Sequence, residues 1–304
     1  MPTLIVGKVC TEYVKIEFSR LKMKIGILGL GLMGGCLGFD LSAQGHHLLG
    51  VSRRESTCQR AIELGCVNQA SVDLNLLTSA DIVFICTPIG LIVPQVEQLV
   101  SYLPKTTILT DVGSVKAPIV RAISPLWENF IGGHPMAGKT DIGIEAAQRN
   151  LFLHRPYVLT PVKTTPISAL TVLEEIVRSL GSILYHCQPE QHDYAVSWIS
   201  HLPVMISASL IDACLTETDP VIVQLAQKLA SSAFQDTSRV GGGNPELGVM
   251  MAQYNSQPLL KSLQHYRQSL DEFIHLIEQE QWIKLEEKLK LNQQARDYFG
   301  KLNH

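Results

Sequence analysis

Residues 24–34 read KIGILGLGLMG, and Gly29, Gly31 and Gly34 form GxGxxG directly after an apolar run and at the head of a helical one. No other feature of the chain limits its fold as sharply. The first glycine allows a tight turn. The second lets the backbone approach a pyrophosphate, and the third lets the helix pack closely on the strand. The first turn of the helix then offers free N–H groups and a positive dipole end to the phosphates. Gly29, Gly31, Leu32, Met33 and Gly34 are therefore expected at a dinucleotide.

The rest of the first half agrees. Short runs rich in Ile, Val and Leu at 24–28, 47–51, 81–86, 107–110 and 130–132 alternate with amphipathic segments such as 35–44 and 56–64. Two more runs, 156–160 and 182–187, flank a helical stretch at 166–180. Strands alternating with helices of this length predict an α/β, Rossmann-type, doubly wound and mostly parallel sheet. After Pro189 the period changes. Apolar residues recur every three or four positions in 195–215, 221–234, 259–280 and 282–298, which predicts an all-α second domain. The expected division is 23–188 for nucleotide binding and 189–304 for a helical substrate and dimerisation domain. The segment 195–215 is apolar nearly all round, so it needs a partner on more than one side. A homodimer through this half would supply it.

The second strand ends Gly50-Val51-Ser52-Arg53-Arg54. An Asp or Glu at this place binds the ribose hydroxyls of NAD. Ser52 stands there instead, with Arg53, Arg54 and the hydroxyl of Thr57 close by. That set suits the 2′-phosphate of NADP. Thr87 and Pro88 follow the next central strand and would lie beside the cofactor crevice, although a purely structural turn also explains Pro88.

Three segments carry unusual chemistry. Residues 110–116 (TDVGSVK) and 132–138 (GGHPMAG) both follow strands and should emerge at the edge that holds the dinucleotide. His134, in a loop between Gly and Pro, is placed as a general base near neutral pH, and Ser114 could hydrogen-bond a substrate hydroxyl or orient the imidazole. Arg239, ahead of a Gly-rich helix start at 241–245, is suited to bind a carboxylate bidentately. His201 lies in an apolar helix that Pro203 kinks or starts. It faces either the substrate or the core. His192 and Asp193 are expected in the first helix of the second domain, with no assigned role.

Other function classes find no support. A net charge of −3 with dispersed Lys and Arg gives no footprint for nucleic acid or an anionic membrane. The stretch 82–94, taken as the most apolar, is too short to span a bilayer. The seven cysteines show no CxxC, so neither a disulfide framework nor a metal site is expected, and the chain reads as cytoplasmic. Residues 1–22 carry too many charges for a signal peptide, and Met23 is the expected natural start. Ending at His304, the helical half is expected to carry no appended regulatory domain.

Together these segments resemble the prephenate/arogenate dehydrogenase family, in particular the NADP-dependent arogenate dehydrogenases of cyanobacteria. The likeness runs from Met23 almost to the C-terminus through GLGLMGG at 29–35, DVGSVK at 111–116, GGHPMAG at 132–138, SHLP at 200–203 and DTSRVGGGNPELG at 236–248. It implies that His134 is the catalytic histidine, Ser114 lies near the reacting hydroxyl and Arg239 binds a substrate carboxylate. It also implies oxidative decarboxylation of arogenate or prephenate, and a homodimer. Some prephenate-specific relatives carry a histidine where this chain has Val204 and a glutamate where it has Thr140, which favours arogenate. A β-hydroxyacid dehydrogenase would leave GGHPMAG unexplained. A non-catalytic NADP-binding sensor would leave His134, Ser114 and Arg239 without purpose.

Overall fold

The computed structural model describes residues 22–139 and 141–300 of the chain. Thr140 and, apart from Lys22, the leader 1–22 lie outside the described residues. β1 (Lys24–Leu28), β2 (His47–Val51), β3 (Gln69–Ser71), β4 (Ile82–Ile85), β5 (Ile108–Asp111), β6 (Phe130–Pro135), β7 (Pro156–Thr160) and β8 (Ile183–His186) form one sheet. Its order is β3-β2-β1-β4-β5-β6-β7-β8. Helices α1 (Leu32–Ala43), α2 (Glu55–Glu63), α3 (Ile89–Leu99), α4 (Ala117–Ile123) and α5 (Ile167–Ser179) connect the strands.

The strand patterns explain this arrangement. All four residues of β4 are buried: Ile82 and Phe84 join one core cluster, Val83 and Ile85 the other. A strand covered on both faces belongs at the centre of a parallel sheet. Leu37 and Leu41 of α1, Ala61 of α2 and Leu173 and Val177 of α5 fill the first face. Ile92 and Val96 of α3 and Ile119 and Ile123 of α4 fill the second. Each such Leu, Ile or Val side chain contributes about 1.5–3 kcal/mol when fully buried. β1 pairs with β2 on one side and β4 on the other, so the loops leaving β1 and β4 part at a topological switch point.

The structure corrects the sequence reading in several places. His134 is not in a loop. β6 runs through Pro135, and His134 pairs with Val158 of β7. The strand expected at 130–132 continues through Gly133, where only glycine fits, because a side chain at 133 would come within 2.6 Å of the Asp111 carbonyl. Here glycine serves close approach rather than bending. β7 runs antiparallel to β6, so the sheet is mixed at this edge. β3 is only three residues long, too short to show a pattern.

The second half holds α6 (Pro189–Val196), a π-turn (Ser197–His201), α7 (Leu202–Leu215), α8 (Pro220–Leu229), α9 (Ser232–Ser238), α10 (Pro245–Tyr254), α11 (Ser256–Glu278) and α12 (Trp282–Gly300). The stretch expected as one helix at 221–234 breaks between Leu229 and Ser232. Pro203 begins α7 rather than kinking it. Through the π-turn, α6 and α7 form one 27-residue run, Pro189–Leu215, which by length and composition is apolar enough to cross a membrane. The sequence reading, which stopped at 82–94, did not see this. The run nevertheless buries His192, Asp193 and His201, polar groups committed to hydrogen bonds inside the protein. α8 buries no side chain and leaves Val221, Ile222, Leu225 and Leu229 exposed. Contiguous apolar surface of this kind marks an interaction face. The six described cysteines are free.

Candidate active site

The dinucleotide end is built on β1 and α1. Gly29 has φ +106°, which L side chains rarely adopt, and a Cβ at Gly34 would lie 2.1 Å from the Gly29 carbonyl oxygen. Turn and helix thus interlock only because both are glycine. Above Gly31 there is open space, with no atom within 4 Å of where a side chain would begin. A cavity of about 390 Å³ opens there, lined by Gly29, Gly31, Ser52, Arg53, Arg54, Thr57, Thr87 and Pro88. These are eight of the expected cofactor residues. Leu32, Met33 and Gly34 do not line it. Leu32 and Met33 pack partly onto the core, and their first-turn backbone N–H groups remain available to a ligand.

The cavity fits a dinucleotide on its own chemistry. Thr87 Oγ1 and Gln95 Oε1 are buried without a hydrogen-bond partner, and both residues line it. Unsatisfied polar atoms on residues that line a cavity suit a polar ligand. Gly143 and Ile144, from the segment after β6, close the far wall. Glu145 fastens that segment to α2 by a bidentate pair with Arg60, at 2.7 and 3.1 Å. No sequence pattern announced this wall.

The second centre lies where β5 and β6 end. Asp111 is fully buried. Its carboxylate accepts from Lys116 Nζ, from Gly113 N at 2.8 Å and from Gly133 N at 3.2 Å. Lys116 Nζ also donates to the Gly133 carbonyl at 2.7 Å. This pair fixes the 112–116 loop against β6. Burial pushes the Lys116 ammonium below its ordinary value, while Asp111 and Asp193 act to hold its charge. Ser114 Oγ, inside the loop, is buried and unpartnered.

His134 is 8% exposed. Its Nδ1 lies 2.8 Å from His192 Nε2, and His192 Nδ1 lies 2.8 Å from Asp193 Oδ1. Asp193 in turn accepts from the Lys116 and Ala117 backbone N–H groups at 2.7 and 2.8 Å, capping the first turn of α4 from the other half of the chain. Burial first, then His192, Lys116 and His201, hold His134 well below the usual histidine range. A ring kept neutral at physiological pH is competent as a base.

His201 is fully buried in the π-turn. Asn255, at the head of α11, gives its amide N–H groups to the Asp193 carbonyl at 2.8 Å and to His201 Nδ1 at 3.1 Å. A carbonyl oxygen cannot donate, so the Asn255 nitrogen must face it, and His201 Nδ1 is the acceptor. The His201 proton therefore sits on Nε2, which has no partner. Burial lowers its pKa to about 4. This histidine lies in the core with a side chain, Asn255, rather than a backbone group as its partner, and it holds an unused donor near His134.

Arg239 caps the C-terminus of α9, which is tied to α7 by a hydrogen bond from Ser207 Oγ to the Thr237 carbonyl. It is exposed and makes no side-chain hydrogen bond or ion pair among the described residues. The structure thus joins His134 to His192 and Asp193, and His201 to Asn255, but does not bring Arg239 into that network. His192, Asp193 and Asn255 were missed as site residues. For His192 and Asp193 the available signal was two adjacent ionisable side chains at the head of the apolar run 189–215. Among the described residues, no group of three or more His, Cys, Asp or Glu converges as metal ligands would.

Residues 37–186 match the family model described as prephenate dehydrogenase, nucleotide-binding domain, and residues 188–291 match prephenate dehydrogenase, dimerization domain. A prephenate dehydrogenase of Bacillus subtilis is 28% identical over 287 residues, covering 92% of this chain and 76% of that protein. A cyclohexadienyl dehydrogenase of Zymomonas mobilis is 27% identical over 278 residues, covering 90% and 94%. Among solved structures, Synechocystis arogenate dehydrogenase superposes with TM-score 0.83 at 54% identity, covering 91% of this chain and 100% of that one. A prephenate dehydrogenase from A. aeolicus, in complex with hydroxyphenyl propionate and NAD+, gives TM-score 0.86 at 26% identity, covering 92% and 99%.

Proposed function

We propose that this chain, which belongs to the prephenate dehydrogenase family, oxidatively decarboxylates arogenate to tyrosine with NADP as hydride acceptor. The observation that carries the reading is His134. It is a neutral, buried imidazole with one nitrogen engaged, on a strand whose end lies at the same sheet edge as the dinucleotide cavity. His134 takes the proton of the ring hydroxyl. Bound NADP supplies the electrophilic nicotinamide carbon that accepts the hydride from the hydroxyl-bearing carbon. Ser114 Oγ, unpartnered beside this strand end, holds the hydroxyl in line. His201 offers its free Nε2–H to a polar group of the substrate. Loss of CO2 is driven by aromatisation and needs no acid catalyst, so the chain provides a base, hydrogen-bond donors and an anion receptor. We assign that last role to Arg239, whose unpaired guanidinium is free to clamp a carboxylate.

Ser52, Arg53, Arg54 and Thr57 support NADP, because they all line the cavity and no side-chain carboxylate among the described residues does. Val204 supports arogenate over prephenate. It is half-buried in the first turn of α7, three residues after His201, and so shares a helix face with it. The 54% identity to the Synechocystis arogenate dehydrogenase points the same way. We take 23–188 and 189–304 as the two working units, joined as a homodimer by the apolar face of α8 and its neighbours, in the cytoplasm. The test is NADPH formation with arogenate and prephenate side by side, for wild type and Val204→His. Arogenate should give the higher kcat/KM in wild type, and Val204→His should narrow the gap. Preference for prephenate would remove the arogenate assignment and leave the family intact.

A further inference from the structure

We infer that His192 and Asp193 are positioning residues for His134: they decide which of its nitrogens is free to act, and they receive the charge that proton abstraction creates. The inference rests on reading His134 as the base.

The argument starts at Asp193, which is 3% exposed. Two backbone N–H groups donate to its carboxylate, so it is an acceptor on both oxygens. His192 Nδ1, 2.8 Å from Oδ1, must then carry the His192 proton. That leaves a lone pair on His192 Nε2. His134 Nδ1 lies 2.8 Å from it, and two lone pairs cannot face each other at that distance. His134 is therefore protonated on Nδ1 and bare on Nε2. A carboxylate at the start of α6 thus sets the chemistry of a strand residue two rings away.

The same chain handles charge. His134 is faced by His192 from α6, by Lys116 from the loop after β5 and by His201 from the π-turn, none of them an anion. The Asp111 carboxylate is already taken by Lys116 Nζ, Gly113 N and Gly133 N. Asp193 is the carboxylate left within reach of a relay. As the substrate O–H breaks, a new N–H forms at His134 Nε2. The His134 Nδ1 proton crosses to His192 Nε2. His134 ends neutral, and the cation rests on His192 with its Nδ1–H against Asp193. One proton enters, one crosses, and the hydride leaves separately to the nicotinamide.

His192→Gln is the deciding variant. It can still accept from His134 Nδ1 but cannot take a proton, and both backbone bonds to Asp193 remain. Its kcat should fall by about 10²-fold, the lower end of what base catalysis contributes. KM and NADP affinity should stay at wild-type values, and the solvent deuterium isotope effect on kcat should rise as proton transfer becomes limiting. Asp193→Asn should show the same pattern with lower stability, because it sets an amide N–H against the Ala117 N–H. Undiminished kcat in His192→Gln overturns the inference. So does a loss in which KM and cofactor affinity worsen in step with kcat and the isotope effect is unchanged, since that describes a loosened fold. His134→Asn separates the two levels. Normal turnover there removes the base itself, whereas an inactive His134→Asn beside a fully active His192→Gln removes only the relay.

Discussion

Acid should unfold this protein through His201. The ring is fully buried, and its pKa is lowered to about 4 by desolvation, with Asp193 only partly opposing the shift. In the unfolded chain the same ring titrates near 6.5. Below that pH the unfolded state binds more protons than the folded one. The stabilisation is therefore complete above about pH 6.5 and is lost as pH falls towards about 4. At pH 5 the gap from the unfolded pKa is about 1.5 units, which at 1.36 kcal/mol per unit is ~2 kcal/mol from this one residue. His134, also held low by burial, adds to the loss in the same direction. The assay is denaturant unfolding at pH 7 and pH 5, with protein concentration held fixed because a dimer's stability depends on it. His201→Gln should remove ~2 kcal/mol of the pH-dependent part, whatever it does to stability at pH 7. Identical pH dependence in variant and wild type would refute the reasoning, since the ring would then titrate alike in both states.

Four further outcomes follow from the same geometry. Ser52→Asp should weaken NADP and favour NAD, and Arg53→Ala should cost about 1.5–3 kcal/mol of NADP binding, read by fluorescence titration; unchanged cofactor preference in both sinks the NADP assignment. His134→Asn should lower kcat by about 10²–10⁴-fold with little change in substrate binding, measured by NADPH formation. Arg239→Ala should raise KM by the equivalent of about 2–5 kcal/mol, and Arg239→Lys should recover only part, because an ammonium cannot form the bidentate fork; a normal KM in Arg239→Ala moves the carboxylate site elsewhere. Lys116→Met leaves the buried Asp111 carboxylate without its cation and should cost about 3–5 kcal/mol of stability, seen as a lower denaturant midpoint.

The parts of the fold that announce themselves in sequence are those governed by short-range chemistry. β1 and β2 begin and end where their apolar runs do, because central parallel strands are buried on both faces and read as near-continuous apolar runs of Ile, Val, Leu and Gly. The glycines of the 29–34 loop are legible for a similar reason: each answers a local steric demand. What could not be read depends on contacts between distant segments. That β6 runs on past Gly132 to Pro135 is hidden until the close approach of β5 to Gly133 is known. The break between α8 and α9 leaves the apolar period undisturbed. His192 and Asp193 lie 58 residues or more beyond His134, and nothing in a helical stretch says that its first turn will reach a strand in the other half. Asn255 is quieter still, since its importance lies in where its amide N–H groups point.

The reach of Asp193 onto α4 places the enzyme's weak point where a survey of ligand contacts would not look. The segment 189–196 lines no part of the dinucleotide cavity, yet it carries the groups that orient the imidazole on β6. Damage confined to His192 would be silent by most measures: the sheet would remain, the coenzyme would still bind, and turnover would fall by about 10²-fold. In a collection of tyrosine-requiring mutants, inactive alleles should therefore gather in two places. One is the obvious cluster around the GGHP strand. The other is a separate group in the first helix of the helical half, with full-length, coenzyme-binding protein and little activity. Chain integrity and coenzyme affinity would pass these alleles as healthy, and only a turnover assay would expose them.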